Sequence, residues 1–460
     1  MKRFILVFAL LWAVCGSGQD VPQYERDALI DFFFNTNGAN WRFKANWLSN
    51  RPVREWKGVQ TSTINGVEHV TNIYINNNNL TGTASIVNLP MLDKLAIYDN
   101  EITAFTISGS NNLKELNIGY NPITSFDMIA LPTSLELLRL DGMNLTTLNI
   151  GHLTNLEWLG VANNQLSNFD FNTLPQSLIG LDITMNELTT VNVDGLPNLK
   201  MLGVGTNQLS NFDFTTLPST LELLRAEENE LTSIDLSNMT NLRMLNLSDN
   251  QLSNFDFNTL PQTVHDLGVE NNGLTTLDVG GFPNLRALYI ANNQLSNFDF
   301  NALPQTMEEL SIGRNNFTSI DVSSLINLKE LDLSHNPIST SLDLNNHHQL
   351  IYLSAGDTQI PVVKLKSQMN YGSFGMYIGN AVKCIEVHNS ALVNPNWYVT
   401  WLAGYQGNYR TDCSQYLATA ENMAKTHHLT AVSPMGDTLI LKGDAKVEKV
   451  EGIVILIYFI

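Results

Sequence analysis

Between residues 70 and 360 the chain sets apolar and polar positions in one recurring register, LxxLxLxxNxL. Fourteen repeats begin at Val70, Leu92, Leu113, Leu135, Leu156, Leu178, Leu199, Leu221, Leu242, Val264, Leu285, Met307, Leu328 and Leu350, in steps alternating between 22 and 21 residues. The fourth and sixth positions (Leu159 and Val161, or Leu245 and Leu247) are apolar between polar or variable neighbours. That alternation predicts a short strand with one buried face. The eleventh position is apolar throughout, from Leu80 to Ile360. One repeat cannot bury these side chains alone, whereas a stack of repeats makes one continuous core.

The ninth position is Asn in twelve repeats, with Met143 and Thr358 as the exceptions. An amide carries donors and an acceptor, so it can satisfy backbone groups where the chain turns off the strand. Stacked amides therefore predict a buried ladder joining neighbouring turns. The remaining half of each repeat shows a longer beat of 43 residues, in which NQLSNFDF returns at Asn164, Asn207, Asn250 and Asn293. Its phenylalanines (Phe169 and Phe171, then Phe212 and Phe214, Phe255 and Phe257, Phe298 and Phe300) are expected to fill the convex side. The aspartates between them, such as Asp170 and Asp299, are expected to cap turns in solvent.

This register resembles the leucine-rich repeat family over residues 70–360. The resemblance implies an α/β, β-dominated leucine-rich repeat solenoid: a curved right-handed coil with a parallel sheet on its concave face. Such a stack needs covered ends. Ahead of it, Glu25–Trp41, Trp47 and the EWKGV element Glu55–Val59 resemble the N-terminal cap of plant-type members, with a helix expected over Asp27–Phe34. The cysteines that usually flank the Trp-Gly-Val element are absent, so this cap must rest on packing.

The first residues, MKRFILVFALLWAVCGSGQD, join Lys2 and Arg3 to an apolar run and small residues. They read as a secretory signal peptide over residues 1–18, too short in its apolar part to span a bilayer. The expected order is then a cap over 19–69, a solenoid over 70–370, a C-terminal cap over 371–416 and a tail over 417–460. The cap is rich in aromatics (Trp397, Tyr398, Trp401, Tyr405), and Cys384 and Cys413 are left to form one disulfide or stand as two buried thiols. Within the tail, Ser433–Glu451 resembles the opening of the sorting domain of the type IX secretion route of Bacteroidetes. There it lacks the usual Asn-Pro opening, and the chain runs out after GIVILIYFI.

A formal charge of −19 disfavours nucleic acid and anionic membrane surfaces as partners. There is no HExxH, GxSxG, phosphate-cradling glycine loop or paired CxxC, so no catalytic activity, cofactor or metal is expected. The pairs His347–His348 and His427–His428 lack a third ligand in register, and adjacent histidines on a turn point apart. The third position of repeats four to nine reads Leu137, Trp158, Gly180, Met201, Leu223 and Met244, where other repeats carry residues such as Glu115, Asp266 and Glu309. Arg139, Asp182 and Arg225 stand at the fifth position, with Asp141, Glu227 and Glu228 beyond. An apolar row beside mixed charge has the composition of a protein-binding surface; the plainer reading is that these side chains lie flat and shield the sheet. The expected ligand site is Leu137, Arg139, Trp158, Asp182, Met201, Leu223, Arg225 and Met244. The expected partner is an extracellular protein or peptide, bound by a secreted or surface-held chain; family resemblance implies adhesion. The alternative is a glycan on Tyr74, Tyr98 and Tyr289 or on the C-terminal aromatics.

Overall fold

A computed structural model describes residues 20–167, 169–210, 212–254, 256–366, 374–388, 398–401 and 409–417. The expected signal peptide, Trp397, Tyr405 and the tail beyond residue 417 lie outside the described residues. The chain is a β-solenoid of about 14 turns with a parallel sheet. It divides into two compact units, Met1–Glu187 and Leu188–Ile460.

The N-terminal unit opens with helix α1, Gln23–Asn35, four residues longer at its start than the pattern predicted. Leu29, Phe32 and Phe33 make its buried face. Those rings meet Trp41 and Trp47, with the Phe33 and Trp41 centroids 5.0 Å apart, and Trp47 passes the contact to Trp56 at 5.0 Å. Aromatic pairs at such spacings add about 0.5–1.5 kcal/mol each beyond the area they bury, which is how the cap dispenses with a disulfide. The buried Glu25 carboxylate of α1 bonds His69 Nδ1 at 2.5 Å and accepts the Val70 amide at 2.7 Å, fastening the helix to the first repeat.

A hairpin that the repeat pattern does not contain lies between cap and array. Strand β1, Val59–Ile64, pairs antiparallel with β2, Val67–Tyr74. Its turn is Asn65-Gly66, both with positive φ, the sequence type that two-residue hairpins select. From β2 onward the pairing is parallel: Lys94–Ala96, Glu115–Asn117, Leu137–Arg139, Trp158–Gly160 and Gly180–Asp182 follow in register. A second, three-stranded parallel sheet forms in the other half of the first repeats, from Thr81–Val87, Glu101–Ser108 and Ser125–Phe126.

In the C-terminal unit the parallel ladder runs from Met201–Gly203 through Leu223–Arg225, Met244–Asn246 and Asp266–Gly268 to Tyr352–Ala355. It continues where the leucine register is lost, through Gly375–Ile378 and Tyr398–Trp401. Met376 and Ile378, 1% and 0% exposed, fill the slots that leucines fill elsewhere. A second sheet of Leu342–Asp343, Val362–Lys364, Cys384–Glu386 and Tyr409–Arg410 closes with a Cys384–Cys413 disulfide. In that last turn the buried Glu386 carboxylate accepts the Cys413 amide.

Within each unit the core is the stack of first, fourth, sixth and eleventh positions, as with Leu156, Leu159, Val161 and Leu166, all fully buried. Each such side chain stabilises by about 1.5–3 kcal/mol once stacked. The asparagines form the expected ladder, by bonding backbone rather than one another. Asn250 Nδ2 donates to Ala226 O, Leu247 O and Ser248 O, while its Oδ1 accepts the Leu231 amide of the preceding turn. Where Met143 interrupts the series, the Ile123 amide turns to Asn121 O in its own repeat. On the opposite side Asp170, Asp213 and Asp299 cap short 3₁₀ turns by accepting the amide two residues on. The phenylalanines pack as pairs within a turn, 4.8 Å apart for Phe169 and Phe171 and 4.9 Å for Phe298 and Phe300. No helix among the described residues is long and apolar enough to cross a membrane.

Candidate functional site

The strands present their third and fifth positions on the face opposite the buried leucines. In the N-terminal unit, strand register sets Leu137 beside Trp158 and Trp158 beside Gly180. The Trp158 ring lies over Gly180, because a Cβ there would stand 2.1 Å from Trp158 Cε3. Flattening leaves Trp158 half-buried and encloses its Nε1, which makes no hydrogen bond among the described residues. Gly160 opens a second slot: a Cβ there would come within 3.1 Å of Asp141 Oδ1 and 3.3 Å of Arg139 Cγ. Asp141 Oδ1 accepts the Ala162 amide at 2.9 Å. Burial pushes its carboxyl above the ordinary aspartate range, and Asp182 pushes the same way, against the Ala162 bond and the Arg139 charge. Asp182 accepts the amide and hydroxyl of Thr184, the latter at 2.8 Å, so one of its oxygens is already committed.

In the C-terminal unit Met201, Leu223 and Met244 stand side by side on consecutive strands. Met244 is 43% exposed and the other two are half-buried. Arg225 pairs with Glu227 Oε1 at 3.1 Å, and Glu227 lies across Gly205 with Oε2 enclosed and unbonded. Beyond Met244 the face turns acidic, with Asp266, Glu309 and Glu330 on successive strands apart from Ala287. Burial raises the Glu270 carboxyl, and the like charges of Asp249 and Asp332 add to it. Tyr289 hydrogen-bonds Glu309; burial, then that bond and its charge, push the phenol well above its usual range. Of the three tyrosines named for a glycan, Tyr289 is thus engaged within the protein.

Each unit therefore brings together the residues named for it from sequence: Leu137, Arg139, Trp158 and Asp182 in one, Met201, Leu223, Arg225 and Met244 in the other. The flat placement of Trp158 matches the plainer reading of that residue. At the eighth position two exposed apolar residues were missed, Tyr120 and Met185, each about half exposed. The signal was present, since that position is Asn, Asp or Gly in most repeats. Of the histidine pairs, His347 is buried against Val322 O and His348 is exposed, so these two do point apart; His427–His428 lie outside the described residues. No group of three or more His, Cys, Asp or Glu among the described residues could hold a metal ion.

The Leucine Rich Repeat family model matches residues 241–262 and 327–347, and a second model of the same description matches 109–131. Those segments match leucine-rich repeats, and the β-solenoid with its parallel sheet is the leucine-rich repeat fold. No curated protein matches the chain. Among solved structures it is similar to the leucine-rich repeat ectodomain of the Arabidopsis receptor kinase HAESA, solved with an N-terminally extended IDA peptide hormone ligand. That pair is 16% identical, covers 84% of this chain and 78% of the other, and superposes with a TM-score of 0.52. A leucine-rich repeat protein of Leptospira interrogans is 22% identical over 70% of this chain and 84% of its own, with a TM-score of 0.49. The functional domain of InlJ from Listeria monocytogenes is 21% identical over 78% and 75%, also at 0.49. Leucine-rich repeat proteins are in general non-enzymatic binding scaffolds, and this one shares their fold.

Proposed function

We propose that this leucine-rich repeat protein is a secreted or surface-held, non-enzymatic receptor for a protein or peptide ligand, bound on the strand face and serving adhesion. The observation that carries the reading is the run of large apolar side chains left in contact with water on consecutive strands, with an arginine beside them in each unit. Leu137 and Trp158 accompany Arg139; Met201, Leu223 and Met244 accompany Arg225. Exposed apolar rows cost solubility and mark contact surfaces, and aromatic, Met and Arg residues are the types enriched there. The enclosed Trp158 Nε1 adds to this. An unmade hydrogen bond costs about 1–3 kcal/mol, which a ligand acceptor recovers if the ring lifts off Gly180. The peptide ligand of the HAESA ectodomain is in keeping with a peptide on the same fold. Export rests on the apolar leader and the sorting-like tail read from sequence.

The test is recovery of candidate extracellular proteins by the wild-type chain beside a Trp158→Ala, Met201→Ala double variant, with folding checked by circular dichroism. Loss of the partner by the variant is expected. Equal recovery by both chains removes the strand face as the ligand site.

A further inference from the structure

We infer a second binding site in the N-terminal unit, where the cap meets the first repeat, shaped for a sugar that carries a carboxylate. A cavity of about 290 Å³ there is lined by Phe43, Lys57, Tyr74, Ile75, Asn76 and Asn78. That is near the lower end of the roughly 300–1,000 Å³ usual for small-molecule sites. Phe43 is 59% exposed and Tyr74 39% exposed, so both rings offer open faces. The Phe43 ring is nevertheless held by its backbone. Its amide donates to Asn78 Oδ1 at 2.6 Å, and its carbonyl accepts from Asn78 Nδ2 at 3.1 Å. Asn78 is the first amide of the ladder and has no preceding repeat to serve, so it clamps the cap loop instead. Tyr74 is fixed likewise, its amide donating to Gly58 O at 2.7 Å. Gly58 has φ +86°, and a Cβ there would stand 2.4 Å from Tyr74 O, so the two backbones meet only because this residue is glycine. Two exposed aromatic rings on clamped backbone form a platform that loses little freedom on binding.

The polar groups beside them are unused. The Lys57 ammonium and the Asn76 side-chain amide make no hydrogen bond or ion pair among the described residues. Neighbouring cations of the same unit are engaged: Arg26 with Asp20, Arg51 with Glu55, Arg54 with Glu68, Lys94 with Glu115. In a chain of charge −19, an unpaired ammonium next to two bare rings is complementary to an anion with an apolar face. A pyranose supplies C–H faces for the rings, hydroxyls for the donor and acceptor atoms of Asn76, and, in uronic and sialic acids, a carboxylate for Lys57. An apolar peptide side chain is the poorer fit, because rings this open stack a flat ligand and do not enclose one. Tyr74 is a fifth-position residue of the first repeat, but none of the six lining residues is among the eight named for the protein ligand, so the site does not depend on that reading.

The experiment titrates the full chain with methyl β-glucuronide, methyl α-N-acetylneuraminate and the neutral methyl β-glucoside, followed by ligand-observed NMR. At least one acidic glycoside is expected to bind about tenfold or more tighter than the glucoside. Lys57→Gln is expected to abolish that preference and Phe43→Ala to weaken all three sugars, with melting temperatures unchanged because both side chains are exposed. Trp158→Ala is expected to leave sugar binding intact. Acidic and neutral sugars binding alike, or no sugar binding, overturns the site. So does binding that survives both variants, or preference for a short peptide ending in phenylalanine.

Discussion

At the eighth position of the repeats the backbone is left-handed, from Asn77 (φ 47°) through Asn163 (φ 53°) to Asp357 (φ 52°). Asn, Asp and Gly tolerate this conformation; other residues lose roughly 1–2 kcal/mol to the clash of Cβ with the next carbonyl. Tyr120 at φ 51° and Met185 at φ 55° accept that cost while leaving their side chains half exposed. Strain held against an available remedy points to use. Met185→Asn is expected to raise unfolding stability by about 1 kcal/mol, measured as a higher urea midpoint at constant m-value; an unchanged or lower midpoint refutes the strain. The setting of Glu270 also opposes stability. Its folded carboxyl is raised, so the native state holds this proton more readily than the unfolded chain does. The resulting stability is complete below the ordinary glutamate range and is lost as pH rises through the folded value. Glu270→Gln is therefore expected to stabilise the protein at pH 7 and to make no difference near pH 3. A gain of equal size at both values would show that charge is not the cause.

Among the elements, the strands were legible in the sequence because their buried leucines recur whether or not the rest of the repeat agrees. Three features were not legible, each for a physical reason. The Thr81–Val87 sheet forms in a half-repeat that carries no shared residues, so no phase announced it. The Val59–Tyr74 hairpin depends on Asn65-Gly66, a signal outside the repeat. Strands beyond residue 370 bury Met376 and Ile378 where the register asks for leucine, and backbone pairing carries the ladder on. The candidate site was legible as a list of positions, since strand register decides which side chains adjoin. Their postures were not, because the flattening of Trp158 depends on a residue one turn ahead. Gly180→Ala tests that dependence. A methyl group 2.1 Å from the indole must displace it, at about 1–3 kcal/mol for overpacking. Tryptophan emission is expected to shift in Gly180→Ala and to stay put when the same change is made on a Trp158→Phe background. A shift in both would locate the disturbance elsewhere.

At the scale of the molecule, stability in a stacked array is a sum of repeats and their nearest-neighbour contacts, so a local loss stays local. The C-terminal turns are where this can be read most cleanly. Their strands are short, yet Cys384, Cys413 and Val362 are fully buried together, with Tyr416 packed against them and under the Arg410 guanidinium. The disulfide closes a sequence separation of 29 residues. By loop-closure entropy such a link stabilises by roughly 3–4 kcal/mol, all of it in the turns it joins. The double variant Cys384→Ala, Cys413→Ala is accordingly expected to lose amide-exchange protection in Val362–Lys364 and Cys384–Glu386. Helix Gln23–Asn35, held through Glu25 and the tryptophan cluster of the N-terminal cap, is expected to keep its protection. The two outcomes separate a modular stack from a cooperative one. If the cap helix lost protection in step with the C-terminal strands, unfolding would be global and the additive picture would fail. If neither region changed, the buried packing of these turns alone would suffice, and the disulfide would be surplus to the fold.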